Sequence, residues 1–303
     1  MVSKNLISEL QTERRNEHST ELDQLSAKEI VLLMNKEDHT VAQAVNLVLD
    51  SVEKAVELAV DTIKNGGRLI YIGAGTSGRM GIMDAVECPP TFSTSPDVVQ
   101  AVVAGGESAF KTAIEGAEDK EQQGAEDLRK IVLSPKDTVV GIAASGRTPY
   151  VLGGLLYAKE IGAKTVAISN NKNAVISSCA EVAIEAVTGP EVLTGSTRLK
   201  AATAQKMILN MISTASMIQL GKTYENLMID LNVSNYKLKE RAKQMISTIT
   251  NLSLEESELL LEQANLKVKT ALVMHFLGAA REEAEQKLAY SHGFVRHALN
   301  KER

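Results

Sequence analysis

Two segments rich in glycine and hydroxyl residues are suited to holding a phosphate group. The first reads Gly-Ala-Gly-Thr-Ser-Gly-Arg at residues 73–79, and the second reads Ala-Ser-Gly-Arg-Thr-Pro at residues 144–149. Each follows an apolar run and precedes a predicted helix, whose N-terminus offers free N–H groups and a positive dipole end to an anion. We expect the two segments to close around one phosphate monoester, held by Gly75, Thr76, Ser77, Ser145, Gly146 and Thr148.

The first segment also matches the G-x-G-x-x-G pattern of dinucleotide-binding loops, but its context is different. That pattern is followed by an acidic residue about 20 positions on, at the end of the second strand. Here the second predicted strand ends in Val103, followed by Ala104-Gly105-Gly106. A tight turn that only lets the helix pack on the strand is the structural alternative, and it leaves the paired hydroxyls Thr76 and Ser77 unexplained.

Carboxylates that could move protons lie close to these loops in the sequence. Glu87 precedes two prolines, Pro89 and Pro90, which we expect to end the first helix immediately after Glu87. Glu118 falls in a predicted helix, where spacing alone favours a solvated helix face. A third loop at residues 189–198 is a candidate wall of the site, with an ordinary turn and helix cap as its alternative; its candidate binding residues are Glu191 and Ser196.

Metal and hydrolase chemistry find no support in the motifs. The five histidines include no His-Glu-x-x-His pair, and the two cysteines form no Cys-x-x-Cys pair. No Gly-x-Ser-x-Gly nucleophile motif is present. Gly221-Lys222-Thr223 resembles the end of a P-loop, but Ser216 stands where the earlier glycine is required. We therefore expect neither a metal ion nor another cofactor.

The elements that must position these residues alternate between strands and helices. Short apolar runs predict strands buried on both faces, and segments with helical periodicity lie between most of them. This alternation predicts an α/β fold, a doubly wound parallel sheet flanked by helices. The predicted strands are 69–72, 98–103, 138–142, 165–168 and 182–184. The predicted helices of this region are 41–63, 78–86, 108–131, 149–161 and 196–220.

The two ends of the chain differ from this central region. Residues 1–40 are predicted to form an N-terminal helical arm, whose polar first 25 residues would pack on a partner subunit. Residues 41–232 form the predicted sheet domain, and 233–303 a small C-terminal helical domain. Three short amphipathic segments of that last domain predict a small helical bundle, at 254–263, 267–277 and 281–289.

Composition excludes several classes of partner. The 303 residues carry a net charge of −5 without a basic run, and aromatic residues are limited to 6 Tyr and 4 Phe, so a nucleic-acid surface is not expected. No apolar run approaches the ~18 residues that span a bilayer, and no secretory signal is recognisable. We expect a soluble, cytoplasmic protein with no membrane partner.

The motifs together resemble those of the N-acetylmuramic acid 6-phosphate etherases, bacterial lyases of cell-wall sugar recycling with a SIS (sugar isomerase) domain. The resemblance extends over essentially the whole chain. Besides the two phosphate loops, it rests on Glu-Cys-Pro-Pro-Thr-Phe at 87–92, Ala-Gly-Gly at 104–106, Glu-Gly-Ala-Glu-Asp at 115–119 and Gly-Pro-Glu-Val-Leu-Thr-Gly-Ser-Thr-Arg at 189–198.

The resemblance implies a reaction and the residues that perform it. Such enzymes remove D-lactate from C3 of N-acetylmuramate 6-phosphate and leave N-acetylglucosamine 6-phosphate, without a metal. The acid of the family matches Glu87, and its second catalytic glutamate matches Glu118. The family also works as a homodimer. The apolar stripes predicted at 41–63 and 196–220 exceed what one sheet face needs, which favours the same assembly.

Two other functions share the predicted fold. A non-catalytic sugar-phosphate-binding regulator, similar to the glucokinase regulatory proteins, would carry two tandem SIS domains and lack the Glu87 motif. An aldose–ketose isomerase would keep the phosphate loops but not that motif. The single predicted SIS domain and the Glu87 motif favour the etherase.

Overall fold

Five parallel strands form one sheet in the computed structural model of the protein, which describes residues 10–233 and 235–300. The strand order is β2-β1-β3-β4-β5, which confirms the predicted doubly wound α/β sheet. Each predicted strand agrees with an observed one to within one residue at either end. The strands are β1 (Leu69–Gly73), β2 (Val99–Val103), β3 (Thr138–Ile142), β4 (Lys164–Ser169) and β5 (Val182–Glu185).

Helices cover both faces of this sheet because its central strands are apolar throughout. Every residue of β1 and of β3 is buried. A parallel sheet of this kind is stable only when both faces are covered. The helices of this part of the chain are α1 (Ala27–Asn46), α2 (Leu49–Lys64), α3 (Gly75–Phe92), α4 (Ser108–Lys111), α5 (Glu121–Lys130), α6 (Pro149–Ile161) and α7 (Lys200–Gln219).

The prediction of one helix over 41–63 is wrong, because two helices divide that segment. The backbone leaves the helical conformation at Val48, with φ −120° and ψ 12°, between α1 and α2. The apolar spacing of three and four residues continues across the break, so periodicity alone does not reveal it. The apolar stripe also packs within the chain, since Val41, Val45 and Val52 are all buried, and it therefore gives no support to a dimer interface.

The predicted end of the first sheet helix is wrong as well. α3 continues through Pro89 and Pro90 to Phe92. Both prolines lie in the last turns, and the N–H of Ser93 still donates to the carbonyl of Pro89 at 3.0 Å. The fixed φ of proline is compatible with a helix, so near the C-terminus the missing N–H groups weaken the helix without ending it.

The predicted helix over 108–131 is interrupted, and the interruption changes the setting of Glu118. Only α4 and α5 are helical, and the residues between them form a loop. Gly116 in that loop has a φ of +73°, in the left-handed region, which an α-helix excludes. Glu118 therefore lies on a loop and not on a helix face.

The described part of the N-terminal segment packs on its own chain and is not a continuous helix. It forms short 3-10 turns at Gln11–Glu13, Glu17–Ser19 and Leu22–Gln24, and α1 then begins with a capping box at Ser26. Ser19 Oγ donates to the carbonyl of Val192 at 2.7 Å. This segment thus lies against the 189–198 loop of the same subunit.

A buried ion pair joins α1 to the start of α7. Lys200 Nζ donates to Glu37 at 2.6 Å, and both side chains are less than 10% exposed. Asn16 Nδ2 donates to the same carboxylate at 2.9 Å. His18 Nδ1 forms a hydrogen bond with its other oxygen, also at 2.9 Å. Burial opposes the charge on Glu37, but the hydrogen bonds from Lys200, His18 and Asn16 outweigh it and hold its pKa at about 2.

The remaining helices have an apolar core of their own. The three predicted segments correspond to α9 (Leu254–Gln263), α10 (Val268–Leu277) and α11 (Arg281–Tyr290). Two further helices belong to the same core, α8 (Tyr236–Thr250) and α12 (Val295–Leu299). Leu261, Leu272 and Ile246 lie at the centre of this core. Within the described residues, no helix combines the length and the apolar character needed to cross a membrane.

The chain divides into two compact units. The first runs up to Val86 and resumes at Asp97–Ser213, and the second contains Glu87–Pro96 and the chain from Thr214 onward. The sheet lies in the first unit, and α8 to α12 lie in the second. The predicted domain boundaries at residues 40 and 232 remain a prediction.

We predict that Glu37 makes the protein sensitive to acid. Its pKa is lowered from 4.5 to about 2 on folding, so its stabilisation is complete above pH 4.5 and is lost as the pH falls towards 2. The shift corresponds to about 3 kcal/mol in the free energy of unfolding. Denaturant unfolding between pH 5 and pH 2 should show a smaller loss of stability for Glu37→Gln than for the unchanged protein.

The control for this measurement is Glu53→Gln, at an exposed position of α2. Its unfolding free energy should follow that of the unchanged protein across the same pH range. An equal loss of stability in Glu37→Gln and in the unchanged protein would contradict the assignment.

Candidate functional site

A cavity of about 300 Å³ lies at the carboxyl ends of β1 and β3. Strand order reverses here, because β1 pairs with β2 on one side and β3 on the other, and ligands of open α/β sheets bind at such a point. Six predicted site residues line the cavity, namely Gly75, Thr76, Ser77, Glu118, Ser145 and Thr148. Four predicted site residues are not among its described lining residues, namely Glu87, Gly146, Glu191 and Ser196.

A larger cavity, of about 840 Å³, lies beside the edge strand β2. Apolar residues such as Val102 and Phe110 form much of its wall, together with Lys120 and Lys130, and no serine or threonine is among its described lining residues. The smaller cavity is the better candidate for a sugar phosphate, because it combines two helix N-termini with five hydroxyl residues.

The first loop needs glycine at two positions. Gly75 has a φ of +53°, which a residue with a side chain rarely adopts. A Cβ on Gly78 would lie 2.6 Å from Val103 Cγ2, so the third glycine of the motif allows close packing of α3 on β2. α3 begins at Gly75, and the N–H groups of its first turn are therefore free to face the cavity beside Thr76 and Ser77.

The second loop is arranged in a similar way at the end of β3. Gly146 has a φ of +69°, and a Cβ there would lie 2.3 Å from Ala174 Cβ. Ser145 Oγ accepts a hydrogen bond from Arg147 N at 3.3 Å, and Pro149 occupies the first turn of α6. Gly146 thus allows the turn to pack closely against Ala174, while Ser145 and Thr148 line the cavity.

The backbone of Glu118 is attached to the helix that starts the second loop. Tyr150 N donates to the carbonyl of Glu118 at 2.9 Å, and this satisfies one of the free N–H groups at the start of α6. Tyr150 is fully buried, and its hydroxyl donates to Asp127 Oδ2 at 2.9 Å. Burial and the Asp127 charge raise the pKa of Tyr150, so it remains a hydrogen-bond donor at neutral pH.

Arg79 is a lining residue that the sequence analysis did not assign to binding. It is the one cationic side chain among the described residues that line the cavity. Its guanidinium donates to the carbonyls of Phe110 at 3.3 Å and Thr112 at 3.4 Å, just before the loop that carries Glu118. The position of Arg79 in the sequence, one turn into the helix that follows a predicted phosphate loop, could have indicated its role.

Asp84 is a second residue that sequence reasoning missed. It is buried on α3 and accepts hydrogen bonds from Tyr71 Oη and Asn210 Nδ2, both at 2.8 Å, and from Ser213 Oγ at 3.0 Å. Burial raises its pKa, although the three donors oppose this effect. These bonds tie α3 to β1 and α7, so Asp84 fixes the helix whose first turn faces the cavity.

Two predicted binding residues of the 189–198 loop form hydrogen bonds within the protein. Glu191 is fully buried, and its two carboxylate oxygens accept from the backbone N–H groups of Lys200 and Ala201, each at 2.9 Å. Burial raises its pKa, and these backbone bonds oppose the rise. Ser196 is half-buried, and its N–H donates to the carbonyl of Leu193 at 2.9 Å. Substrate binding by Glu191 and Ser196 remains a prediction.

The two predicted catalytic glutamates are both exposed in the single chain. Glu118 lines the cavity, as does Glu115 three residues before it. Glu87 lies on α3 and belongs to the second compact unit. The roles of Glu87 and Glu118 remain a prediction. Among the described residues, no group of three or more His, Cys, Asp or Glu is placed to hold a metal ion.

Comparison with family models places a SIS domain in the same region. The model of the SIS domain matches residues 121–215. The model of the glucokinase regulatory protein N-terminal SIS domain matches residues 51–159. Both loops that line the cavity fall within one or both of these ranges.

Curated relatives match nearly the full chain. A protein of Geobacillus sp. (strain WCH70) named N-acetylmuramic acid 6-phosphate etherase is 54% identical over 294 residues, which cover 97% of this chain and 100% of that protein. One of the same name from Bacillus pumilus (strain SAFR-032) is 56% identical over 291 residues, which cover 96% of each chain. Among solved structures, a phosphoheptose isomerase from Neisseria gonorrhoeae has a similar fold, with a TM-score of 0.50 at 18% identity over 63% of this chain and 98% of that one.

We predict that Ser145→Ala weakens the binding of inorganic phosphate. Loss of a hydrogen bond to a charged group should weaken binding by about 1.5–3 kcal/mol, which titration calorimetry can measure. The control is Ser178→Ala, whose hydroxyl is exposed and donates to the carbonyl of Val175. Unchanged phosphate affinity in both Ser145→Ala and Ser77→Ala would rule out the cavity as the phosphate site.

Proposed function

This chain belongs to the N-acetylmuramic acid 6-phosphate etherases, and from that premise we propose that the cavity at the ends of β1 and β3 is its active site. As a carbon–oxygen lyase, the enzyme cleaves the D-lactyl ether of N-acetylmuramate 6-phosphate and yields N-acetylglucosamine 6-phosphate and D-lactate. One observation carries the proposed location: two helix N-termini, five hydroxyl residues and Glu118 line one cavity.

The phosphate of the substrate is held between the two loops. The hydroxyls of Thr76, Ser77, Ser145 and Thr148 donate to its oxygens. The first-turn N–H groups of α3 and the positive dipole end of α6 favour its negative charge. Arg79 adds a positive charge to the same cavity. Binding of the phosphate fixes one end of the sugar, so that the carbons to be changed have a defined place relative to Glu118.

Elimination begins at C2 of the open-chain sugar. The aldehyde at C1 acidifies the C2 proton, and Glu118 removes that proton as the general base. Glu118 suits this role because its backbone is held at the start of α6 by Tyr150, beside the proposed phosphate site. Its side chain is exposed in the single chain, so it is accessible to a substrate in the cavity.

Departure of lactate needs a proton on the C3 ether oxygen. Glu87 supplies it as the general acid and must therefore be protonated when the substrate is bound. The two glutamates thus have opposite roles in the elimination, because Glu87 gives a proton to the leaving lactate and Glu118 takes one from C2.

Water then adds to the double bond between C2 and C3 and completes the product. The proton and hydroxide that add replace the proton and lactate that left, so no electrons are gained or lost. The reaction consequently needs no redox cofactor. We propose that it needs no metal ion either, because the aldehyde already supplies the acidity that a Lewis acid would provide.

Two proposals concern the setting of the enzyme. We propose a homodimer, supported by the family and by exposed apolar residues on α1, where Val31 is 61% and Leu32 60% exposed. We also propose that the enzyme works in the cytoplasm, because a substrate with a charged phosphate does not cross a membrane unaided.

The two alternatives are less well supported than the etherase. The match to the glucokinase regulatory protein domain and the fold shared with a phosphoheptose isomerase are both consistent with sugar-phosphate binding. Neither accounts for identity of 54–56% to etherases over nearly the whole chain. Release of lactate from N-acetylmuramate 6-phosphate by the purified protein distinguishes the etherase from both.

We predict that Glu118→Gln and Glu87→Gln fail at different steps. In deuterated water, Glu87→Gln should still exchange the C2 proton of the substrate while releasing lactate far more slowly, because only the acid is missing. In Glu118→Gln both exchange and release should be far slower. Lactate release should fall about 10²–10⁴-fold in each variant, the contribution of a positioned proton transfer. The measurements are mass spectrometry of the sugar and an assay of lactate.

Glu160→Gln, an exposed position at the far end of α6, is the matched control and should show normal exchange and release. Near-normal C2 exchange by Glu118→Gln would show that the base assignment is wrong. Glu115, which also lines the cavity, would then be the next candidate.

A further inference from the structure

We propose that Glu13 is a further substrate-binding residue, which accepts a hydrogen bond from a neutral donor of the sugar chain, a hydroxyl or the amide N–H. The inference rests on the proposed function, since it concerns the same cavity. Glu13 belongs to the N-terminal segment, far from both phosphate loops in sequence, yet its side chain lines the cavity with Ser77, Glu118 and Ser145.

The backbone just before Glu13 is fixed to the second phosphate loop through Asn171. Gln11 N donates to Asn171 Oδ1 at 2.7 Å, and Asn171 Nδ2 donates to Thr12 Oγ1 at 3.1 Å. The same amide donates to the carbonyl of Ala144 at 3.0 Å, immediately before Ser145. Asn171 and Thr12 are both buried, so these bonds are protected from water.

A second attachment follows Glu13 by three residues. Asn16 is buried, and its Nδ2 donates to Glu37 at 2.9 Å and to the carbonyl of Pro190 at 3.3 Å. Between the two attachments the chain makes a 3-10 turn, in which Glu13 N donates to the carbonyl of Leu10 at 3.0 Å. A residue held from both sides in this way has a defined direction for its side chain, as a binding group requires.

Glu13 is half-buried, and its carboxylate has no partner among the residues that the structure describes. Its Oε2 lies close to Gly195, since a Cβ built there would be 3.5 Å away. Within the described residues, no hydrogen bond or ion pair engages this carboxylate, whereas Glu37 nearby binds Asn16, His18 and Lys200. An anchored carboxylate in a cavity, with free acceptor oxygens, is suited to receive donors from a ligand.

Charge decides which part of the substrate Glu13 can face. The phosphate and the lactyl carboxylate are both anions and are repelled by a third negative group, whereas hydroxyls and the amide N–H are neutral donors. Hydrogen bonds to a charged acceptor are stronger than those between neutral groups. Glu13 therefore discriminates a sugar phosphate from inorganic phosphate, which the two loops alone would bind equally well.

The test compares two ligands on two matched variants. Glu13→Ala removes the acceptor, and Glu17→Ala makes the same change at an exposed position of the next 3-10 turn. Titration calorimetry measures the affinity of the full chain for N-acetylglucosamine 6-phosphate and for inorganic phosphate. In Glu13→Ala we expect the sugar phosphate to bind about 10- to 100-fold more weakly, and inorganic phosphate to bind as well as before or more tightly. Glu17→Ala should match the unchanged protein with both ligands.

Two results would overturn the inference. Equal affinity of Glu13→Ala and Glu17→Ala for the sugar phosphate would show that Glu13 makes no contact with it. A parallel loss of affinity for both ligands in Glu13→Ala would show that the residue only supports the loops. The proposed function is tested separately by the unchanged protein, which fails that test if it releases no lactate from N-acetylmuramate 6-phosphate.

Discussion

The parallel pairing of β1 with β3 is the constraint on which the site depends. Gly73 at the end of β1 pairs with Ile142 at the end of β3, so the loops that follow both strands leave the sheet at the same level. Each loop leads into a helix, and the N-termini of α3 and α6 are thereby brought to one cavity. Two helix N-termini beside several hydroxyl residues are suited to hold a phosphate more firmly than one helix N-terminus alone.

The other functional groups are placed by attachment to this pair of helices. The carbonyl of Glu118 accepts a hydrogen bond from Tyr150 N at the start of α6. The backbone of the proposed base is therefore held beside the proposed phosphate site. Asp84 anchors α3 to β1 and α7, and Asn171 links the N-terminal segment to the strand end before Ser145. Glu118, α3 and the N-terminal segment come from distant parts of the sequence, but each is held by hydrogen bonds within the same compact unit.

The sequence predicts those features that depend on local pattern. Apolar runs predicted the five strands to within one residue. The glycine and hydroxyl spacing of the loops predicted five of the seventeen described residues that line the cavity. Features set by tertiary contacts were not predictable. The prolines of α3 suggested a helix end, and the loop setting of Glu118 follows from the conformation of Gly116. No local pattern predicts that Glu13 lines the cavity. Its position depends on hydrogen bonds that its neighbours Gln11 and Asn16 make to Asn171 and Glu37, far away in the sequence.

The most direct test of the account is a crystal structure of the protein with N-acetylglucosamine 6-phosphate bound. We expect the phosphate to lie within hydrogen-bond distance of the Ser77 and Ser145 hydroxyls and of the first-turn N–H groups of α3, with the sugar chain extending towards Glu118. A phosphate bound elsewhere, for instance against Lys120 and Lys130 in the larger cavity beside β2, would contradict it.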